Sequence, residues 1–193
     1  MAFIKITCNL QNNLLKYTYK KEKKNMSKQI IYHGSYCEVR EPKIIKGKFN
    51  KDFGTGFYCT ILEKQAKKWA QKYDTSFLNK YEYDENPNLN IKEFTLMTEE
   101  WLDFIIDCRN GKKHNYDIVI GAMVDDQIYN YISALMSREI TREAFWELAK
   151  FNHPTHQIVF CTENALKCIK FIGAEEIENG TKKKIAIYFL YVV

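Results

Sequence analysis

Asp52-Phe53-Gly54-Thr55-Gly56-Phe57-Tyr58-Cys59-Thr60 divides into a turn and a strand. Two glycines spaced by one residue suit a tight loop, and Phe57 to Thr60 is aromatic and β-prone, so Tyr58 is delivered on a short strand. Working outward, Gln29-Ile30-Ile31-Tyr32-His33 reads as a second strand that ends at Gly34-Ser35. On the C-terminal side, Ala66, Trp69, Ala70 and Tyr73 recur at helical spacing opposite a lysine-rich face, predicting an amphipathic helix from Leu62 to Tyr73.

The rest of the chain alternates similarly. Tyr81, Tyr83, Leu89 and Ile91 suggest strands around the turn Asn86-Pro87-Asn88. Thr98 opens a helix with Glu99 and Glu100 in its first turn, ending at Asn110-Gly111, and a strand over 117–120 stops at Gly121. Helices are expected from Asp125 to Ser137, from a Thr141 cap to Phe151 ahead of His153-Pro154, and from Glu163 to Phe171 behind a Thr162 cap. Gln157-Ile158-Val159-Phe160 and the apolar run Ile185 to Val193 read as strands. The fold class is α+β: short strands with helices inserted between them.

At 193 residues with 46% hydrophobic content, the chain suffices for one core. Its net charge of +5 is concentrated in residues 1–28, where seven lysines face the single acid Glu22, leaving −1 for the remainder. That argues against a distributed nucleic-acid-binding face. Residues 1–25 read as a basic extension, either disordered or the product of an over-extended start because Met26 stands just before the first strand, and residues 26–193 as one domain. There is no signal-peptide pattern and no run long enough to span a membrane, so a cytoplasmic protein is expected. Six scattered cysteines lack zinc or redox spacing, and no metal is expected; Cys59, Cys161 and Cys168 lie in apolar segments as core residues.

Tyr32-His33-Gly34-Ser35 followed about two dozen residues later by Phe53-Gly54-Thr55-Gly56-Phe57-Tyr58 resembles the His-Tyr-Glu class of ADP-ribosyltransferases, which includes the poly-ADP-ribose polymerases. It is closer still to uncharacterised bacterial proteins with the run Asp-Phe-Gly-x-Gly-Phe-Tyr. The resemblance covers roughly residues 29–172 and implies a split sheet with NAD⁺ as co-substrate. It implies that His33 bonds a ribose hydroxyl, that the backbone of Gly34 pairs with the nicotinamide amide, and that Tyr58 stacks on the nicotinamide ring. Trp69, eleven residues beyond Tyr58, matches a second stacking aromatic. The family's nicotinamide-binding serine is replaced by Ala66, leaving Ser35 or Gln65 as substitutes.

The third catalytic position departs from the family. Thr155-His156-Gln157-Ile158-Val159-Phe160 carries no glutamate. Alignment on the apolar strand selects Gln157, and polymerase-like alignment selects His156. Glutamine accepts a hydrogen bond from ribose but offers no charge to an oxocarbenium-like centre. One charge at ~4 Å in an effective dielectric of ~20 is worth roughly 4 kcal/mol, about three orders of magnitude in rate. Chain elongation is therefore not expected, whereas mono-ADP-ribosylation of a protein, DNA or RNA acceptor is, with Asp125-Asp126 as the candidate source of extra charge if they do not simply cap their helix. A toxin restrained by an antitoxin protein fits the size and the resemblance. The alternatives are an inactive module binding NAD⁺, ADP-ribose or a protein partner, and an RNA 2′-phosphotransferase-like enzyme, which the charge of the folded part disfavours.

Overall fold

The computed structural model describes residues 28–150 and 155–178. Two sheets form an α+β architecture with five helices among these residues. The first sheet is antiparallel, in the order β1 (Gln29–Ser35), β3 (Phe77–Tyr83), β7 (Ile169–Glu176). The second runs β2 (Phe57–Cys59), β6 (Gln157–Phe160), β5 (Ile118–Gly121), β4 (Ile91–Glu93), with only β4 and β5 parallel. A single antiparallel bridge, Tyr32 to Thr60, joins β1 to the chain just beyond β2.

Side-chain alternation decides what each face of the second sheet buries. Phe57, Cys59, Ile158 and Phe160 pack with Ile31, Tyr81 and Tyr83 of the first sheet. Val159 faces the other way, into a cluster with Phe53, Trp101, Leu102, Ile128 and Phe145, and Tyr58 packs against its edge. That second cluster is roofed by α2 (Glu99–Arg109), α3 (Asp126–Met136) and α4 (Arg142–Ala149). All four residues of β6 are buried because both of its faces are covered. The remaining long element, α1 (Glu63–Ala70), lies on β1.

The predicted caps hold these helices. Thr98 accepts from Trp101 N at 3.4 Å, Asp125 from Gln127 N and Ile128 N at 3.1 and 3.0 Å, and Thr141 from Ala144 N at 3.3 Å. Three elements differ from their reading. The helix expected from Leu62 to Tyr73 is shorter at both ends, and β1 runs on through Gly34 and Ser35, paired with Leu78 and Phe77. The helix expected to reach Phe171 stops as α5 (Glu163–Leu166), and Ile169-Lys170-Phe171 opens β7. Thr162 does cap α5, accepting from Ala165 N at 3.2 Å, but pairing with β3 captures the β-prone residues beyond. The strands flanking Asn86-Pro87-Asn88 belong to different sheets and form no hairpin.

The readings of residues 1–25, His153-Pro154 and Ile185 to Val193 lie outside the described residues. Among the described residues, no helix is long and apolar enough to cross a membrane.

Candidate functional site

The two sequence motifs meet where β1 and β2 part. Tyr32 and Thr60 exchange both backbone hydrogen bonds, at 2.8 and 2.9 Å. In an extended strand, N–H and C=O of one residue point to one side and those of the next residue to the other. Gly34 therefore aims its N–H and C=O in the same direction as Tyr32, towards β2. Among the described residues no strand bond receives them, because the pairing consists of the one bridge. The carbonyl of Tyr58, which continued pairing would have used, instead accepts from His33 Nδ1 at 2.7 Å. One donor and one acceptor of the main chain are left side by side in the wedge.

That bond also settles the state of His33. A carbonyl only accepts, so Nδ1 carries the proton and Nε2 presents a lone pair. Burial pushes the pKa of His33 down to about 4, outweighing the Tyr58 carbonyl, and the nearby positive charge of Lys51 pushes in the same direction. The imidazole is neutral at pH 7. It rests on Phe57 with ring centroids 4.4 Å apart.

Tyr58 is fixed by its own loop. Its hydroxyl donates to Gly54 O at 2.7 Å and accepts from Phe53 N at 3.2 Å, so the phenol clasps the turn that precedes it. Burial holds its pKa well above the usual tyrosine value, and it stays protonated. The turn is pinned from two further sides. His114 Nε2 donates to Phe53 O at 3.1 Å. Asp52 Oδ1 accepts from Arg109 Nη2 and Nε at 2.7 and 3.1 Å, and its Oδ2 accepts from Val124 N at 3.3 Å. With the hydroxyl committed, the ring face is what Tyr58 can offer, and Lys51 Nζ stands 4.6 Å from its centroid.

Gly34 owes its identity to α1. A Cβ there would lie 2.0 Å from Ala66 O, 2.7 Å from Ala70 N and 2.9 Å from Trp69 Cβ. The space freed by the missing side chain is filled by the helix, and Gly34 itself is buried. The same contact sets the partly exposed Trp69 beside Gly34 on the α1 side, and Ser35 is buried one residue further along β1. Gln65 is unavailable to a ligand: its amide donates to His156 O at 2.5 Å and accepts from His156 N at 3.1 Å, bolting α1 to the start of β6.

Register separates the two candidates for the third position. Tyr58 faces Val159, and Gln157 lies two residues along on the same side of the sheet, a diagonal neighbour of Tyr58. Gln157 Nε2 donates to Ala122 O at 3.4 Å, and no hydrogen bond takes its Oε1 among the described residues. His156 points to the opposite side, its Nδ1 accepting from Ile61 N at 3.4 Å, and burial lowers its pKa to about 4. Asp125 is occupied as the cap of α3, and Asp126 lies on the surface 4.0 Å from Lys72. Among the described residues, no three His, Cys, Asp or Glu side chains cluster so as to hold a metal ion.

Sequence reading missed Lys51, Arg109 and His114. Lys51 directly precedes the motif and was legible as a charge near it. The partners of Asp52 and Phe53 lie 57 and 61 residues away in the chain and carry no local signal.

The model of one family, described as a protein of unknown function (DUF3990), matches residues 29–171, and the chain belongs to that family. No curated protein and no solved structure matches the chain.

Proposed function

Because membership of DUF3990 assigns no activity, we propose from the site itself that this protein binds NAD⁺ in the wedge between β1 and β2, on an ADP-ribosyltransferase-like split sheet, and transfers ADP-ribose to a macromolecule. The observation that carries the reading is the Gly34 N–H and C=O, without a hydrogen-bond partner among the described residues, beside a neutral His33. A carboxamide needs one acceptor and one donor, and nicotinamide presents that group. The Nε2 lone pair of His33 accepts from a ribose hydroxyl, and the rigid face of Tyr58 orients the ring.

In the reaction the bond between ribose C1′ and the nicotinamide nitrogen breaks. Nicotinamide leaves neutral with the electron pair, and an acceptor nucleophile bonds to C1′ and gives up its proton. The cationic sugar formed on the way calls for negative charge. The carboxylate nearest Tyr58, Asp52, is held by Arg109 and Val124 N, so Gln157 Oε1 is the group left to meet a ribose hydroxyl. A dipole in place of a charge makes the transfer slow and suits single addition. The same shortage of free carboxylate favours a second reading, a module that binds NAD⁺ or ADP-ribose without cleaving it.

Calorimetric titration with NAD⁺ and measurement of nicotinamide release separate the two. Transfer predicts release by the wild type, a loss of roughly 1–3 kcal/mol in Gln157→Ala, or about 5- to 150-fold in rate, and a gain in Gln157→Glu. Binding without release by the wild type, with cell extract present as acceptor, selects the module. Absence of NAD⁺ binding sinks both readings.

A further inference from the structure

Lys51 is an exposed residue whose ammonium nevertheless lies over an aromatic ring. Its Nζ stands 4.6 Å from the centroid of the Tyr58 ring. Among the described residues, no carboxylate lies within salt-bridge distance of it. The adjacent Asp52 attracts the ammonium Coulombically but forms no ion pair with it, its Oδ1 being held by Arg109 and its Oδ2 by Val124 N. Nor can the ring turn away, because the Tyr58 hydroxyl is fastened to Gly54 O and Phe53 N. Lys51 is partly desolvated, which draws its pKa below the ordinary lysine value, and its charge is felt at His33. The π-face of Tyr58 and the Coulombic pull of the neighbouring Asp52 both favour the charged ammonium on this exposed residue.

We propose that Lys51 is a resident cation of the site, holding the face of Tyr58 that the pyridinium ring of NAD⁺ takes and leaving it when the ligand enters. The inference rests on the reading of the wedge as a nicotinamide site. The physical basis is that the pyridinium ring is itself a cation. It gains from the same ring quadrupole that holds the ammonium, and two cations do not share one aromatic face. Binding is then an exchange of one cation for another. The flexible four-carbon stem of lysine lets the ammonium retreat to water, a movement that a packed residue would not permit. While Lys51 remains in place, its charge also opposes the cationic sugar beside His33, so exchange must precede chemistry.

The test uses nicotinamide riboside, which is cationic and carries no phosphate, beside NAD⁺, with the full chain in both cases. Lys51→Met keeps the length of the stem without its charge, Lys51→Gln provides a second neutral variant, and Lys51→Arg retains a cation. Calorimetry is expected to show both neutral variants binding nicotinamide riboside roughly two- to tenfold more tightly than the wild type, the range a lost cation–π competitor allows, with Lys51→Arg close to the wild type. The His33 titration, followed by NMR in the ligand-free protein, is expected to move upward in both neutral variants. Unchanged or weaker riboside binding in both, while the wild type binds NAD⁺, overturns the exchange and leaves the nicotinamide site standing. If NAD⁺ binding alone weakens, Lys51 is a phosphate partner and not a displaced cation. Failure of every form to bind either ligand removes the nicotinamide reading and this proposal with it.

Discussion

Replacing Gly34 by alanine tests the seam between strand and helix on which the site depends. The new Cβ would stand 2.0 Å from Ala66 O, whereas such contacts essentially never fall under 3.0 Å, so α1 must retreat by at least 1.0 Å relative to β1. The atom met is a backbone carbonyl, and no rotamer change relieves it. Ala70 N and Trp69 Cβ, at 2.7 and 2.9 Å, prevent the helix from simply tilting about that point. Overpacking costs about 1–3 kcal/mol where side chains can yield, and a backbone contact belongs at the upper end or above it. For a domain of this size ~3 kcal/mol lowers Tm by about 6–12 °C.

Gly173→Ala, in β7 of the same sheet, is the matched control, because a Cβ there meets nothing within 4 Å. It is expected to change Tm by less than ~2 °C or to raise it slightly by restricting the unfolded chain. Both variants would be melted by circular dichroism and titrated with NAD⁺. Gly34→Ala is expected to lose NAD⁺ binding as well as stability, since the retreat of α1 shifts Trp69 and the main-chain pair of Gly34. A Gly34→Ala protein that melts within ~2 °C of the wild type would refute the packing argument.

Asp52→Ala is expected to destabilise the fold by roughly 3 kcal/mol, because it leaves the Arg109 guanidinium unpaired where the two side chains keep only 10% and 14% exposure. Glu100→Ala, which breaks the outer pair with Lys92, should cost under ~1 kcal/mol in the same denaturant assay, and equal losses would show the Asp52 pair to be no anchor. The buried His156 and the partly buried His33 predict acid sensitivity. His33 and His156 are each held near a pKa of about 4 against 6.5 for the ordinary side chain, so below pH 6.5 the unfolded chain takes up protons that the folded chain refuses. Their contribution is complete above pH 6.5 and falls as the pH drops, by roughly 2 kcal/mol each at pH 5. A melting temperature that stays flat between pH 6.5 and 5 would contradict their lowered pKa values.

Much of the architecture could be read from local chemistry. Thr98, Asp125, Thr141 and Thr162 each announce a helix start, and each side chain accepts the expected backbone N–H, because capping needs only residues two to four positions away. The strands carrying His33, Tyr58 and Gln157 were equally legible from β-branched and aromatic residues. What failed was local for a different reason. Ile169-Lys170-Phe171 is helix-compatible beside a capped turn, and only pairing with Tyr83, Glu82 and Tyr81 of β3 makes it a strand.

The site itself divides along the same line. The residue types, their order and the glutamine in place of an acid at position 157 are properties of the sequence alone. Tertiary structure decided which groups are available: it closed the space above Gly34 with α1, committed the Tyr58 hydroxyl to its own loop, used both ends of the Gln65 amide, and turned Gln157 and His156 to opposite sides of β6. It also ended the β1–β2 pairing after one bridge, leaving the Gly34 amide and carbonyl without strand partners. Such choices depend on register and on contacts across dozens of residues, where a shift of one position reverses every side chain, and no local pattern encodes them.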